Sequence, residues 1–123
     1  MSVRVFLADD AAVMRKAIRR LLSNREGISV VGEASTFYEK TSELHPDLII
    51  LDLNLSDRNH IAPSEAKRLL NGAKVLAITL GTDDLTDELL QSVGAVRLLD
   101  KMGLANELIP AILELAPEHS PGS

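Results

Sequence analysis

The stretch Asp47-Leu48-Ile49-Ile50-Leu51-Asp52 decides the fold of this chain. Its four consecutive aliphatic residues cannot share one side of a strand, because successive side chains point to opposite faces. A strand that is apolar on both faces is typical of a parallel sheet covered by helices on both sides. The run stops at Asp52, and a polar loop follows it. Because open α/β sheets carry their reactive groups at the carboxyl ends of the strands, Asp52 is a candidate metal ligand, nucleophile or general base.

The composition is that of one domain with an aliphatic core. The 123 residues are 46% hydrophobic but only 2% aromatic, and the formal net charge is −5, from 13 basic and 18 acidic residues. That charge argues against direct binding of nucleic acid, since neutralising phosphates requires a basic surface. The absence of cysteine fits a reducing cytoplasm. The chain start does not resemble a signal peptide, and no apolar run approaches the roughly 20 residues that span a bilayer.

Strand and helix patterns alternate along the chain. The predicted strands are Val3–Ala8, Ser29–Ala34, Asp47–Asp52, Lys74–Thr79 and Val96–Asp100. The predicted helices are Ala12–Ser23, Thr36–Leu44, Pro63–Leu70, Asp84–Val93 and Leu104–Leu115. Five such pairs predict an α/β fold, a doubly wound five-stranded parallel sheet (βα)5 of the flavodoxin-like type with strand order 2-1-3-4-5. We expect one domain over residues 1–116 and a linker-like tail over 117–123.

The first and last predicted helices each carry a further prediction. In the first helix, the apolar spacing predicts that the basic residues point outward and the apolar ones inward, namely Val13, Met14, Ala17, Ile18, Leu21 and Leu22. In the last helix, Pro110 predicts either a kink or a delayed start, because proline cannot donate a helical hydrogen bond.

Charged and polar residues follow the predicted strands at their carboxyl ends. These residues are Asp9, Asp10, Asp52, Thr79 and Lys101. In the predicted strand order the first and third strands are neighbours, so the three carboxylates converge in one cleft. Two unit charges about 4 Å apart repel by roughly 4 kcal/mol at an effective dielectric constant near 20. Such a cluster needs positive charge, which Lys101 and a hard divalent cation such as Mg²⁺ can supply.

This set of residues, in this order and at this spacing, resembles the receiver domain of two-component response regulators. The resemblance extends from Val3 to about Ala116, and the stretches Val30–Ala34 and Asp47–Asn54 resemble the NarL/LuxR-type branch in particular. It implies that Asp52 accepts a phosphoryl group from a sensor histidine kinase. It further implies an output, such as transcription regulation through a C-terminal DNA-binding domain, and leaves a homodimer or a stand-alone receiver open.

The resemblance also implies ligands for the metal and for the phosphoryl group. The implied Mg²⁺ ligands are Asp9 (mainly through water), Asp10, Asp52 and the backbone carbonyl of Asn54. The implied ligands of the phosphoryl oxygens are Thr79 and Lys101.

The chain departs from the family pattern at several positions around this site. Leu98 replaces the usual Tyr or Phe of the fifth strand, and Leu80 follows Thr79 where a small residue is usual. The loop after Asp52 has Ser56 and His60 where proline and glycine are usual. These departures keep open a pseudo-receiver that signals by protein contact without phosphate.

Two other classes of protein are consistent with parts of the pattern. A hydrolase of the haloacid-dehalogenase style would use Asp52 as its nucleophile, but it needs a second acid where Asn54 stands. A flavodoxin-like cofactor binder would hold phosphate on its first loop, where Asp9 and Asp10 repel it. We therefore expect a signalling domain and no enzyme.

Overall fold

The computed structural model describes residues 3–35, 45–53, 72–80 and 94–115. Its five strands are β1 (Val3–Ala8), β2 (Ile28–Ala34), β3 (Leu48–Asp52), β4 (Lys74–Thr79) and β5 (Ala95–Asp100). They form one sheet in the order β2-β1-β3-β4-β5, and every neighbouring pair is parallel. The described helices are α1 (Ala12–Leu22) and α2 (Leu104–Leu115), the latter preceded by a 3₁₀ turn over Lys101–Gly103. The predicted fold class and strand order are confirmed.

Three predicted helices and the predicted tail lie outside the described residues. They are Thr36–Leu44, Pro63–Leu70, Asp84–Val93 and residues 117–123. Within the described ranges, the predicted strand and helix ends differ from the structure by at most one residue, which is ordinary for element boundaries.

The central strand β3 is buried on both faces, as its aliphatic run predicts. All five of its residues are buried. Leu48 and Ile50 belong to one apolar cluster, and Ile49 and Leu51 belong to a second. The first cluster includes buried residues of both α1 and α2, so these two helices cover the same face of the sheet.

Helix α1 packs through a narrower stripe than the sequence suggests. Ile18 and Leu22 are buried and Met14 packs against them. Val13 is 83% exposed and Ala17 is exposed as well, so the predicted inward orientation of these two residues is wrong. Five residues separate Val13 from Ile18, which rotates Val13 about 140° away around the helix axis. Met14, four residues from Ile18, stays on the buried side.

Helix α2 accommodates Pro110 within its length. It begins at Leu104, so the proline does not delay its start. Pro110 and Asn106 are both exposed. The Asn106 carbonyl, which loses its helical donor four residues later, can therefore face water. Among the described residues, no helix combines the length and the apolar character needed to cross a membrane.

Candidate functional site

Two buried carboxylates meet where β1 and β3 end. Asp9 directly follows β1, and Asp52 is the last residue of β3. Ala8 pairs with Leu51, so the two acids lie side by side at the carboxyl edge of the sheet. Each is only 1% exposed, whereas Asp10 beside them is exposed. Carboxylate oxygens of Asp9, Asp10 and Asp52 lie within 4.8 Å of one another, as the sequence predicts.

The ammonium group of Lys101 lies between the two buried acids. Its Nζ is 3.3 Å from Asp9 Oδ2 and 3.3 Å from Asp52 Oδ1, and the side chain is only 7% exposed. Lys101 reaches this position because β5 ends at Asp100 and the chain turns immediately. The Asp100 carboxylate stabilises that turn by accepting a hydrogen bond from the Met102 N–H at 2.8 Å. One ammonium group for three carboxylates leaves the cluster rich in negative charge.

Asp9 shows that this cluster fits a cation. Its Oδ1 accepts a hydrogen bond from the Ala11 N–H at 2.9 Å. Its Oδ2 is buried and, among the described residues, has no hydrogen-bond donor, although the Lys101 ammonium lies nearby. A buried carboxylate oxygen without a donor is unfavourable unless another positive group contacts it. A hard divalent cation, which prefers carboxylate and carbonyl oxygens, fits this donor set.

The structure places the remaining candidates at the same edge or nearby. Thr79 is the last residue of β4 and is buried, and it pairs with Asp100, the residue before Lys101. Leu98 is half-buried, pairs with Ala77 and packs against the second apolar cluster. Asn54, with the rest of the loop after Leu53, lies outside the described residues.

Arg15 is a contributor to this site that the sequence analysis missed. Its Nη1 donates a hydrogen bond to the Asp9 carbonyl oxygen at 2.6 Å, and its Nε donates to Glu33 Oε1 at 3.0 Å. The predicted helix had Arg15 on the solvated face with Lys16, Arg19 and Arg20, yet its side chain is only 17% exposed. The signal in the sequence was Glu33, an acid near the end of the second strand, where an arginine from the first helix can reach it.

The sequence of this chain matches a family model over residues 5–113, that of the response regulator receiver domain. The match covers most of the chain and includes Asp9, Asp10, Asp52 and Lys101. The chain belongs to the response regulator receiver domain family. Receiver domains are signalling domains, and accepting a phosphoryl group is general to the family.

Individual receiver domains are similar over most of this chain. The response regulator domain of Thermotoga maritima CheB is 26% identical, with a TM-score of 0.76 over 98% of this chain and 100% of that one. The signal receiver domain of NarL from Mycobacterium tuberculosis is 27% identical, with a TM-score of 0.72 over 92% of this chain and 94% of that one. The resemblance to the NarL/LuxR-type branch is thus consistent with the solved structures.

One curated relative is much longer than this chain. A protein-glutamate methylesterase/protein-glutamine glutaminase of Xanthomonas campestris is 36% identical over 104 residues, which are 80% of this chain and 29% of that protein. The region of similarity is therefore less than a third of the length of that enzyme.

The acid cluster predicts that Mg²⁺ stabilises this receiver. A ligand that binds only the folded state raises the free energy of unfolding by about 2.7 kcal/mol at a hundred times its dissociation constant. We expect the melting temperature to rise with millimolar Mg²⁺, and Asp10→Asn to remove most of that rise. Metal-free Asp10→Asn should melt higher than the metal-free wild type, because one of three repelling charges is gone.

The matched control is Glu26→Gln, an exposed carboxylate just before β2, at the opposite edge of the sheet. Differential scanning calorimetry with and without Mg²⁺ measures all three proteins. A wild-type melting temperature that does not respond to Mg²⁺ would contradict the metal site.

Proposed function

We propose that this receiver domain accepts a phosphoryl group on Asp52 from a sensor histidine kinase. The observation that supports it most strongly is the position of the Asp52 carboxylate. It ends the central buried strand, lies 3.3 Å from the Lys101 ammonium and shares its cluster with Asp9 and Asp10. Of the three acids, only Asp52 belongs to a strand, β3, which lies between β1 and β4 in the sheet.

The transfer needs positioning and charge stabilisation more than proton chemistry. An Asp52 carboxylate oxygen forms a bond to phosphorus while the bond from phosphorus to the kinase histidine nitrogen breaks, and that nitrogen keeps the electron pair. No proton has to leave the carboxylate, so a general base is not required. Lys101 provides a fixed positive charge for the phosphoryl oxygens, and the Thr79 hydroxyl provides a donor at the same edge of the sheet.

In this proposal Asp9, Asp10, Asp52 and the backbone carbonyl of Asn54 would hold Mg²⁺, with Asp9 acting mainly through water. When bound, it offsets the repulsion between the carboxylates and the incoming phosphoryl group. The exposed Asp10 leaves the cluster open to solvent on one side, and the kinase histidine can approach from there.

We further propose that the output is transcription regulation through a C-terminal DNA-binding domain outside this chain. Residues 1–116 are then the receiver, and 117–123 are a linker to that domain. The NarL/LuxR-type features of the sequence and its linker-like tail support this output. The net charge of −5 argues against direct binding of nucleic acid by this domain. In this proposal the receiver is cytoplasmic and acts through proteins, the kinase and a homodimer partner, without binding a membrane.

A second candidate function is supported by Leu98. The family uses an aromatic residue here that changes rotamer when the phosphoryl group arrives, whereas Leu98 packs half-buried against the second apolar cluster. A leucine in such a place gains little by changing rotamer. Phosphorylation therefore has less difference in contact energy with which to favour the active conformation of the receiver over the inactive one. A phosphate-independent pseudo-receiver or a stand-alone receiver acting by protein contact is therefore the alternative.

We expect acetyl phosphate with Mg²⁺ to add one phosphoryl group to this protein, and Asp52→Asn to abolish the addition. Intact-mass spectrometry measures the adduct directly. The matched control is Asp47→Asn at the other end of the central strand, which keeps an oxygen to accept the Arg4 N–H and should still be labelled. A wild type that is never labelled would contradict phosphoryl acceptance and favour the pseudo-receiver.

Because Leu98 replaces the usual aromatic residue, we expect phosphorylation to change the conformation around the acid cluster more than that of helix α2. With beryllofluoride and Mg²⁺, we expect large amide chemical-shift changes at Asp10, Asp52 and Thr79 and small ones along Leu104–Leu115. Leu98→Tyr, which restores an aromatic side chain with a polar tip, should extend the changes into that helix. Large changes along Leu104–Leu115 in the wild type would show that Leu98 is a working substitute.

A further inference from the structure

The loop that carries two of the three acids is held by its backbone from two sides. It consists of Asp9, Asp10 and Ala11, between the end of β1 and the start of α1. The Asp9 N–H donates to the Ala34 carbonyl at the end of β2, at 3.1 Å. The Asp9 carbonyl accepts the 2.6 Å hydrogen bond from Arg15 Nη1. This carbonyl belongs to the peptide group that joins Asp9 to Asp10, so its orientation determines where the Asp10 carboxylate points.

Helix geometry explains why Arg15 reaches this carbonyl. Its N–H makes the first helical hydrogen bond of α1, to the Ala11 carbonyl at 3.1 Å, so it lies one turn into the helix. Side chains on a helix tilt toward its amino end, which directs Arg15 back over the loop. Ala11, the N-cap residue directly before α1, provides no side-chain cap. Among the described residues, the side-chain hydrogen bonds that hold the loop come from Asp9 and Arg15.

Arg15 is itself held in place by Glu33. The Glu33 carboxylate accepts from Arg15 Nε at 3.0 Å, and its second oxygen lies 3.2 Å from Arg19 Nη1. The planar guanidinium group thus contacts Glu33 and the Asp9 carbonyl at the same time, in a geometry that a lysine ammonium cannot reproduce. Arg19 shares Glu33 but makes no contact with the loop among the described residues.

The charge of Arg15 opposes metal binding. A positive charge near the acid cluster repels Mg²⁺ and so lowers its affinity for the site. The Arg15 guanidinium group donates hydrogen bonds to the Asp9 carbonyl and to Glu33. Among the described residues, it donates none to the Asp9 or Asp10 carboxylates. Arg15 can therefore favour the metal only through the geometry of the loop. The two effects have opposite signs, and a measurement can separate them.

We propose that Arg15 is a positioning residue for the metal site. Through the Asp9 carbonyl it orients the peptide between the two acids and so aims the Asp10 carboxylate at the cation, while Glu33 fixes the guanidinium group. This inference rests on the Mg²⁺ site of the proposed function and assigns a role to a residue outside the proposed set of metal and phosphoryl ligands.

The decisive experiment compares Mg²⁺ dissociation constants for the wild type, Arg15→Ala, Arg15→Lys and Arg19→Ala. Competition against Mn²⁺, followed by electron paramagnetic resonance, gives the constants at a temperature where circular dichroism shows every variant folded. Supporting groups around metal ligands contribute about tenfold to affinity, so we expect Arg15→Ala and Arg15→Lys to weaken binding by that factor. Arg19→Ala should stay within about twofold of the wild type, because an exposed charge is screened by salt.

A second readout does not involve the metal. In metal-free protein, the amide signals of Asp10 and Ala11 should shift in Arg15→Ala and stay in place in Arg19→Ala. A wild type that binds Mg²⁺ together with an Arg15→Ala variant that binds it equally or more tightly would overturn the positioning role and leave the site intact. A wild type that binds no Mg²⁺ would overturn both the site and the role.

Discussion

The Lys101 ammonium group, 3.3 Å from a carboxylate oxygen of Asp9 and of Asp52, is the contact on which the site depends. Both acids are almost fully buried, and a buried carboxylate without a nearby positive charge is strongly destabilising. Lys101 makes their burial tolerable but cannot neutralise three acids alone. In the proposed function, the remaining negative charge is what would attract a cation to this edge of the sheet and, with that cation, a phosphoryl group.

The fold brings these charges together through the topology of the sheet. In a parallel sheet all carboxyl ends lie at one edge, and the order β2-β1-β3-β4-β5 puts the ends of β1 and β3 side by side. Burial of β3 on both faces fixes its position, because a shift by one residue would exchange the two apolar clusters. The core therefore determines the position of Asp52 to within one residue.

Relatives with different names share the receiver domain with this chain. The receiver is the part that this chain has in common with both a methylesterase and NarL. A phosphoryl-accepting site can serve several outputs because its chemistry is completed within the receiver. Outputs differ in the surface that responds to the state of the phosphoryl site. Leu98, on β5, is a described residue of that surface at which this chain departs from the family pattern.

The sequence predicted the residues that strand ends determine and missed those that three-dimensional packing determines. Asp9, Asp52 and Lys101 were predictable because each lies at the carboxyl end of a stretch whose sequence pattern predicts a strand. Val13 was misplaced because it was assigned to the buried side from its apolar character, although its position on the helix is rotated far from that of Ile18. Arg15 was taken for a solvated residue because its partners, Glu33 and the Asp9 carbonyl, become neighbours only when α1 packs beside β2. Asn54 remains a prediction.

Anomalous diffraction from crystals grown with Mn²⁺ tests the central claim most directly. Mn²⁺ shares the preference of Mg²⁺ for carboxylate, carbonyl and water oxygens, and it scatters anomalously. Our account predicts one strong peak in direct contact with the Asp10 and Asp52 carboxylates, on the side of the cluster away from the Lys101 ammonium. A map without a peak there, or with peaks only at exposed acids such as Glu26 and Glu107, would contradict it.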